Sequence, residues 1–246
     1  MSSINAARSS LGELLNDFSL EGKTFLDVGS GSGLHSLAAL QLGVSKLVAF
    51  DYDNESVSAT KQIITSNFQK EVPFLILEGD ITDQNFIESL GKFDIVYSWG
   101  VLHHTGNMKQ AIINACTRVK PEGLLVIAIY NDQGWVSKTW LLIKYLYCNL
   151  PTPFKNLLLI ICMIRLWLPT TIKDLINGKP NHTWKTFAKK RGMSPMIDLK
   201  DWVGGYPFEV ATPEMVQSLV TKHDFYLYSR KLVDGHGCNE YVFIRN

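Results

Sequence analysis

The sequence predicts an α/β fold built on a doubly wound, mostly parallel sheet of seven strands. Three observations support this prediction. Short apolar segments alternate with helical patterns through the first half of the chain, a glycine-rich turn joins the first strand to the first helix of this series, and two strand-like segments close the sequence. Such alternation is typical of βαβ units, whose helices cover both faces of a parallel sheet. The closing segments are expected to add an antiparallel C-terminal strand.

The predicted elements follow the chain in order. An amphipathic helix is expected within residues 1–20, which lack the basic and apolar pattern of a signal peptide and place four apolar residues on one helical face: Leu11, Leu14, Leu15 and Phe18. Strands are predicted at residues 24–28, 46–50, 73–77, 93–98 and 123–130. Helices are predicted between them at residues 33–42, 54–68 and 108–119. A further helix at 212–223 and strands at 225–233 and 241–244 complete the sheet.

A mostly helical insertion, residues 131–206, follows the fifth strand and is rich in Trp and Leu. Residues 1–130 and 207–246 are therefore expected to form one domain, with 131–206 as a helical substrate cap. The longest apolar stretch, 157–168, is interrupted by Arg165 and is shorter than the roughly 20 residues of a bilayer span. It is expected to form a buried or interfacial helix.

Composition and charge exclude several classes of protein. Apolar residues make up 46% of the 246 residues, which suits a folded core, and the net charge of +1 argues against a general nucleic-acid-binding surface. Residues 151–200 nevertheless carry nine basic and two acidic residues, a local excess of seven positive charges. The four cysteines are scattered without zinc-ligand spacing, so we expect a cytoplasmic protein with no metal site.

The strongest local signal is the run Leu26-Asp27-Val28-Gly29-Ser30-Gly31-Ser32-Gly33 between a strand and a helix. Glycines let the chain turn sharply, and the helix start supplies free N–H groups for an anionic or polar ligand. The run is not a dinucleotide fingerprint, because Leu34 stands where that motif needs its last glycine, and it lacks the Gly-Lys-Ser/Thr of a P-loop. A tight turn without a ligand is the alternative.

Acidic residues follow the next two predicted strands. Asp51 stands about 20 residues after the glycine turn, where a carboxylate can accept hydrogen bonds from both hydroxyls of a ribose. Asp80 follows the third strand in Glu78-Gly79-Asp80. Because the carboxyl ends of parallel strands meet at one edge of a sheet, these groups are expected to line one crevice. A solvated loop acid is the alternative at Asp51.

Together these motifs resemble class I methyltransferases, which have a Rossmann-like fold. The resemblance rests on Asp-x-Gly-x-Gly-x-Gly, the acidic end of the second strand, Gly79-Asp80, and Val101-Leu102-His103-His104 after the fourth strand. It is strongest to the small-molecule branch that includes ubiquinone-biosynthesis methyltransferases, and it covers residues 24–130 well and 212–246 more loosely. It implies S-adenosylmethionine as the cofactor.

The resemblance also implies roles for matching residues. The backbone at Gly29 and Gly31 would run alongside the methionine moiety of the cofactor, in a loop that Asp27 supports. Asp51 would hold the ribose. Asp80 would meet the adenine amine. The predicted cofactor contacts are Asp27, Gly29, Ser30, Gly31, Gly33, Asp51, Asp80, Ile81, which would lie on the adenine face, Ser98, at the end of the fourth strand, and Tyr52, whose ring offers a stacking surface.

Methyl transfer depends mainly on alignment, and a base helps when the acceptor is a hydroxyl. His103 and His104 are the predicted catalytic residues, since histidine titrates near neutral pH; packing within the loop is the alternative. The Asp/Asn-Pro-Pro-aromatic motif of DNA amino-methyltransferases is replaced by Ser98-Trp99-Gly100-Val101, and no cysteine stands where a cytosine-C5 nucleophile would, so DNA is not an expected partner.

The sequence thus predicts an enzyme that methylates a small, partly hydrophobic molecule, with oxygen as the favoured acceptor atom. Predicted acceptor contacts are Trp99, His103, His104, Tyr130, Asn131, Arg191, Trp202 and Tyr206. A tRNA or rRNA methyltransferase is a disfavoured alternative, because the basic 151–200 stretch has no recognisable RNA-binding module beside it. A non-catalytic cofactor-binding or partner-binding protein is another. Peripheral contact of the insertion with anionic lipid is also open.

Overall fold

The computed structural model describes residues 3–15, 17–69, 71–191 and 194–246, apart from the side chains of 188–191. The chain forms two compact units. The sheet unit comprises Met1–Asp132 and Glu209–Asn246, and the helical unit comprises Gln133–Phe208. The predicted insertion, 131–206, differs from the helical unit by two residues at each end.

The sheet unit contains seven strands in the order β3-β2-β1-β4-β5-β7-β6. They are β1 (Thr24–Val28), β2 (Lys46–Asp51), β3 (Phe74–Glu78), β4 (Phe93–Trp99), β5 (Val119–Tyr130), β6 (Phe225–Lys231) and β7 (Cys238–Arg245). Strands β1 to β5 pair in parallel, whereas β7 lies antiparallel to both β5 and β6. The predicted doubly wound, mostly parallel sheet with an antiparallel C-terminal strand is confirmed.

Helices of the sheet unit pack on both faces of this sheet. They are α1 (Ser3–Leu14), α2 (Leu34–Gln41), α3 (Asn54–Asn67), α4 (Gln84–Ser89), α5 (Met108–Thr117) and α10 (Pro213–Thr221). Successive strand residues face opposite sides, so β1 contributes to two cores. Phe25 joins the core that contains Leu11 and Leu37, whereas Leu26 joins the core that contains Ile112 and Val216.

Strand β7 begins at Cys238, three residues before its predicted start, and two larger differences from the sequence prediction have a local cause. Strand β5 begins at Val119 rather than 123, because the turn-like Pro121-Glu122-Gly123 forms an irregularity inside the strand, where its pairing with β4 shifts register. Helix α4 was not predicted, since its six residues are too few to show a helical period. Asp83 starts this helix by accepting hydrogen bonds from the N–H groups of Asn85 and Phe86.

The helical unit consists of α6 (Trp135–Asn149), α7 (Thr152–Ile176), α8 (His182–Arg191) and α9 (Pro195–Gly204). Lys144 is fully buried, donates to the carbonyl of Trp202, and lies 4.2 Å from the centroid of the Trp202 ring and 4.8 Å from that of Phe208. Burial lowers the pKa of Lys144 to about 8. In the described parts of the chain, no helix is long and apolar enough to cross a membrane.

A polar cluster joins the amino-terminal ends of three central strands. One carboxylate oxygen of Asp94 accepts from the N–H of Thr24 at 2.8 Å, from its hydroxyl at 2.6 Å and from the ammonium of Lys120 at 3.0 Å. Partial burial alone would raise the pKa of Asp94, but the hydrogen bonds from Thr24 and Lys120 outweigh it and lower the pKa to about 2. The folded state therefore favours the ionised carboxylate.

We expect Asp94→Asn to remove the contribution that the ionised Asp94 carboxylate makes to the free energy of unfolding, a contribution that is lost at low pH. A group whose pKa is depressed by folding stabilises the protein above its unfolded pKa, here 3.8, and loses that contribution as pH falls toward about 2. The wild type should lose roughly 1–2 kcal/mol of unfolding free energy across this window, after allowance for partial exposure. Urea unfolding at several pH values would measure it. Parallel pH curves for wild type and variant would contradict this assignment.

Candidate active site

The loop between β1 and α2 is held in a shape that needs glycine. The N–H groups of Gly29 and Ser30 both donate to the carbonyl of Phe50, at 2.9 and 3.1 Å. Gly29, Gly31 and Gly33 have φ angles of 76°, 53° and 74°, in the left-handed region that other residues rarely enter. The predicted turn is therefore present, with three left-handed residues at alternate positions.

Only one of these glycines faces open space. A Cβ on Gly29 would lie 2.4 Å from the methyl groups of Val101, and a Cβ on Gly33 would lie 2.7 Å from the Cα of Thr60 on α3. Gly31 has nothing within 4 Å of the corresponding position. Gly29 and Gly33 therefore permit close packing of neighbouring backbone and side chains, whereas the space beside Gly31 is open.

Asp51, at the end of β2, is already oriented by the backbone. One carboxylate oxygen accepts from the N–H of Gly31 at 2.8 Å, and the other accepts from the N–H of Asp53 at 3.0 Å. Each oxygen keeps a further lone pair, so Asp51 suits the predicted pair of ribose hydroxyls. The neighbouring Tyr52 is 78% exposed and leaves its ring available for stacking.

Two other predicted residues, Asp27 and Ser30, connect the β1–α2 region to neighbouring helices. Asp27 is buried and accepts from the hydroxyl of Ser36 at 2.6 Å, which ties the end of β1 to the first turn of α2. Burial raises the pKa of Asp27 to about 7, even though the Ser36 hydrogen bond opposes the shift. The hydroxyl of Ser30 lies 3.0 Å from that of Thr60, so it links the loop to α3.

Of the remaining predicted cofactor residues, Asp80 and Ile81 follow β3, and Ser98 lies near the end of β4. Asp80 uses one carboxylate oxygen to accept from the N–H and hydroxyl of Thr82, at 2.7 and 2.8 Å. Ile81 is buried at the start of this turn. Ser98 is fully buried and donates its hydroxyl to the carbonyl of Val28 at 3.0 Å, so that hydroxyl is used within the sheet. Gly31, Asp51 and Asp80 thus follow three neighbouring strands at one sheet edge, as predicted.

The two predicted catalytic histidines stand in a single 3₁₀ turn, Leu102–His104, after β4. His103 is fully buried; its Nδ1 accepts from the N–H of Tyr130 at 3.4 Å, and the two rings lie 3.9 Å apart. His104 is less buried, and its ring lies 4.6 Å from that of His103. The structure therefore places the pair beside the carboxyl end of β5.

Two acidic residues that the sequence did not single out position this loop. The N–H of Glu209 donates to the carbonyl of His103 at 2.9 Å, and its carboxylate accepts from the N–H of Met108 at 2.8 Å. The carboxylate of Glu240 accepts from the indole N–H of Trp99 at 3.0 Å. Sequence reasoning missed both contacts, because the partners of each pair lie more than 100 residues apart in the chain.

The predicted acceptor residues divide between the two units. In the sheet unit, Asn131 donates from its amide to the carbonyl of Val233 and accepts from Asn239, each at 3.1 Å, so its side chain has a structural role. In the helical unit, the Trp202 ring packs against Trp140, and the Tyr206 ring packs against Tyr145. Arg191 ends α8, and its side chain lies outside the described residues.

The chain enters and leaves the helical unit close to the histidine turn. Asn131, which follows β5, forms a parallel bridge with Ala211, and the N–H of Ala211 donates to the carbonyl of Tyr130 at 3.1 Å. Glu209 on the return segment bonds His103. Among the described residues, no group of three or more His, Cys, Asp or Glu is arranged to hold a metal ion.

A family model described as a methyltransferase domain matches residues 19–170. The chain belongs to this family. S-adenosylmethionine is the cofactor of this family, so the predicted enzyme class and cofactor are confirmed. The open backbone at Gly31 and the oriented carboxylate of Asp51 fit the requirements of that cofactor.

This chain spans well under half the length of the curated relatives that it matches. The ribosomal protein L11 methyltransferase of Aliivibrio salmonicida is 40% identical over 68 residues, which are 28% of this chain and 23% of that protein. The mitochondrial ubiquinone biosynthesis O-methyltransferase of Dictyostelium discoideum is 33% identical over 118 residues, 46% of this chain and 36% of that protein.

Solved structures share the fold at low sequence identity. Magnesium protoporphyrin IX methyltransferase from Synechocystis, solved with bound S-adenosylhomocysteine, matches 99% of this chain and 83% of its own with a TM-score of 0.60 and 13% identity. An N-methyltransferase from Bradyrhizobium japonicum matches 98% of this chain and 86% of its own with a TM-score of 0.55 and 14% identity. These likenesses support the class I architecture.

We expect Gly31→Ala and Gly33→Ala to separate cofactor binding from stability. Each variant carries the roughly 1–2 kcal/mol cost of a left-handed alanine. Gly33→Ala adds an overlap with the backbone of α3 and should lower the melting temperature further, whereas Gly31→Ala should mainly weaken cofactor binding. Thermal unfolding and calorimetry with S-adenosylhomocysteine measure the two effects, and equal losses of both properties in the two variants would contradict the division.

Asp51→Asn is expected to weaken binding of S-adenosylhomocysteine by about 10- to 150-fold, or roughly 1.5–3 kcal/mol, because hydrogen bonds to a charged acceptor are lost. Asp53→Asn is the matched control. It removes the same charge two residues away, where Asp53 caps α3 and Asn is an equally good cap. Calorimetry that gives the two variants the same affinity would remove Asp51 from the ribose site.

Proposed function

We propose that the protein transfers the methyl group of S-adenosylmethionine to an oxygen atom of a small, partly hydrophobic acceptor. The observation that carries this proposal is the histidine pair of the 3₁₀ turn, which follows β4 at the sheet edge where Gly31 and Asp51 form the predicted cofactor crevice. The bound cofactor supplies an electrophilic methyl group on a sulfonium that leaves readily. The chain's own task is then to align the acceptor and to take up its proton.

The cofactor would be held by groups that are oriented before it binds. Asp51 would accept hydrogen bonds from the ribose hydroxyls, and the Gly31 backbone would lie along the methionine moiety. Tyr52 and Ile81 would contact the two faces of the adenine, with the second oxygen of Asp80 near the adenine amine. Because hydrogen bonds to Gly31 and Asp53 already fix the Asp51 carboxylate, binding requires little reorganisation at this residue.

The two histidines would have different roles. His103 is buried and its Nδ1 already accepts from the Tyr130 N–H, which fixes the orientation of the ring. His104 is less buried, so it is the better candidate to take the proton from an acceptor hydroxyl. His103 would act through His104 and Tyr130, as a positioning residue, since the centroids of those two rings lie only 4.6 and 3.9 Å from that of its own ring, in tilted arrangements.

Residues 131–206 remain the predicted substrate cap. Support comes from the connecting segments of the sheet unit, because Asn131 and Ala211 bridge each other immediately beside the histidine turn. The choice of small-molecule acceptor would then depend on a segment that contributes no strand to the sheet. Trp202 and Tyr206 in this cap, and Trp99 and Tyr130 in the sheet unit, would supply its aromatic contacts.

A second candidate function is methylation of a ribosomal protein. It is favoured by the relatives named ribosomal protein L11 methyltransferase, although the matched segment spans only 28% of this chain. The tRNA or rRNA alternative has only the basic stretch at 151–200 in its favour. The non-catalytic alternative would leave the histidine turn without a chemical task.

Incubation with labelled S-adenosylmethionine and three separate acceptor pools tests these functions. The pools are a fractionated metabolite extract, ribosomal proteins stripped of RNA, and total tRNA with rRNA. We expect label to enter a metabolite whose mass rises by one methylene and whose new methyl is attached to oxygen. Label confined to the protein or RNA pool would replace the proposal with that alternative. Cofactor binding without label in any pool would favour a non-catalytic protein.

With the identified acceptor, His104→Ala is expected to lower kcat by about 10²- to 10⁴-fold, the range of a lost general base. His223→Ala, at a partly exposed histidine after α10, is the control and should keep full activity. Steady-state rates between pH 5 and 9 measure both variants. An unchanged kcat in His104→Ala would exclude this residue as the base.

A further inference from the structure

Helix α7 exposes a long apolar stripe to solvent. Seven of its large apolar side chains are each between 46% and 58% exposed: Phe154, Leu157, Ile161, Ile164, Leu168, Ile172 and Leu175. They follow one another at intervals of three or four residues, which places them along one side of the helix. At 1.5 Å per residue the stripe is about 32 Å long.

The stripe is additional to the face that packs within the helical unit. Cys162 and Asp174 are buried, and Leu159 and Leu166 are half-buried, all on the side of the helix opposite the stripe. Helix α7 therefore has one apolar face inside the unit and a second one outside it. Soluble monomers rarely expose a continuous apolar surface of this extent unless it meets a partner.

Positive charge accompanies the stripe. Arg165 is exposed four residues after Ile161 and three before Leu168, and so borders the stripe, whereas Lys173 directly follows Ile172 and therefore lies on another side of the helix. The one acidic residue of α7, Asp174, is buried and accepts from the N–H and hydroxyl of Thr183 at 2.7 and 2.8 Å. Its charge is thus used inside the unit, and the charged side chain of α7 that borders the stripe is the basic Arg165.

We propose that the outer face of α7 docks on an anionic bilayer surface, with the helix lying in the plane of the interface. The stripe would enter the boundary between headgroups and acyl chains, and Arg165 would extend along it to reach lipid phosphates. The excess of seven positive charges over residues 151–200 adds attraction to anionic headgroups. The same excess opposes pairing with a second copy, since two such surfaces would repel each other.

This inference goes beyond the proposed function, and its test does not depend on methyl transfer. The full chain is sedimented with vesicles of phosphatidylglycerol mixed with phosphatidylcholine, and with vesicles of phosphatidylcholine alone. We expect wild-type protein to bind the mixed vesicles, and the double variant Ile161→Gln/Ile164→Gln to bind them about tenfold more weakly, because two apolar anchors are lost. Both side chains are half-exposed, so melting temperature should not change.

The matched control is Met215→Gln, which replaces another apolar helical side chain, 58% exposed, in the sheet unit. It should leave vesicle binding unchanged. Arg165→Gln should lower the preference for phosphatidylglycerol over phosphatidylcholine by about fivefold, and salt should weaken wild-type binding in the same way.

Two results would overturn the proposal. One is equal vesicle binding by wild type and the Ile161→Gln/Ile164→Gln variant. The other is a wild-type dimer in sedimentation velocity that this variant converts to monomer, without vesicle binding by either, which would assign the stripe to self-association. Calorimetry with S-adenosylhomocysteine should give the same affinity for wild type and variant, which confirms that the sheet unit is unaffected.

Discussion

The hydrogen bond from the Gly31 N–H to the Asp51 carboxylate is the contact on which the candidate site depends. It joins the loop after β1 to the end of β2, and the carbonyl of Phe50 anchors the same loop through Gly29 and Ser30. These bonds can form only because β1 and β2 are parallel neighbours in a register that pairs Val28 with Phe50. The sheet topology therefore dictates where a cofactor can approach the backbone, and the left-handed glycines are its local consequence.

Much of this arrangement could be predicted from sequence, because it is encoded in short patterns. The βαβ alternation, the glycine turn and the carboxylate of Asp51 each occupy a few consecutive residues with a clear physical reason. The individual roles of the glycines could not be predicted in the same way. Whether Gly33 faces a ligand or the backbone of Thr60 depends on how α3 packs, and no local pattern records that packing.

Other features escaped prediction because their partners are distant in the chain. Glu209 contacts the histidine turn although the whole helical unit separates them in the chain, and Glu240 in the last strand bonds Trp99.

The irregularity in β5 has the composition of a turn, so the first four residues of this strand were not predicted because of Pro121-Glu122-Gly123. Helix α4 was too short to show a period. These are cases in which tertiary pairing, rather than local preference, decides the conformation.

The bridge between Asn131 and Ala211 has a consequence for the evolution of such a chain. Because the two chain segments that flank the helical unit meet at this bridge, Asn131 and Ala211 of the sheet unit can pair whatever the length of the segment between them. Loop-closure entropy grows only slowly with length, so helices could be lengthened, exchanged or lost at this junction with little effect on folding of the remainder. The junction thus makes the helical unit an interchangeable module, which one ancestral scaffold could carry into many metabolic contexts.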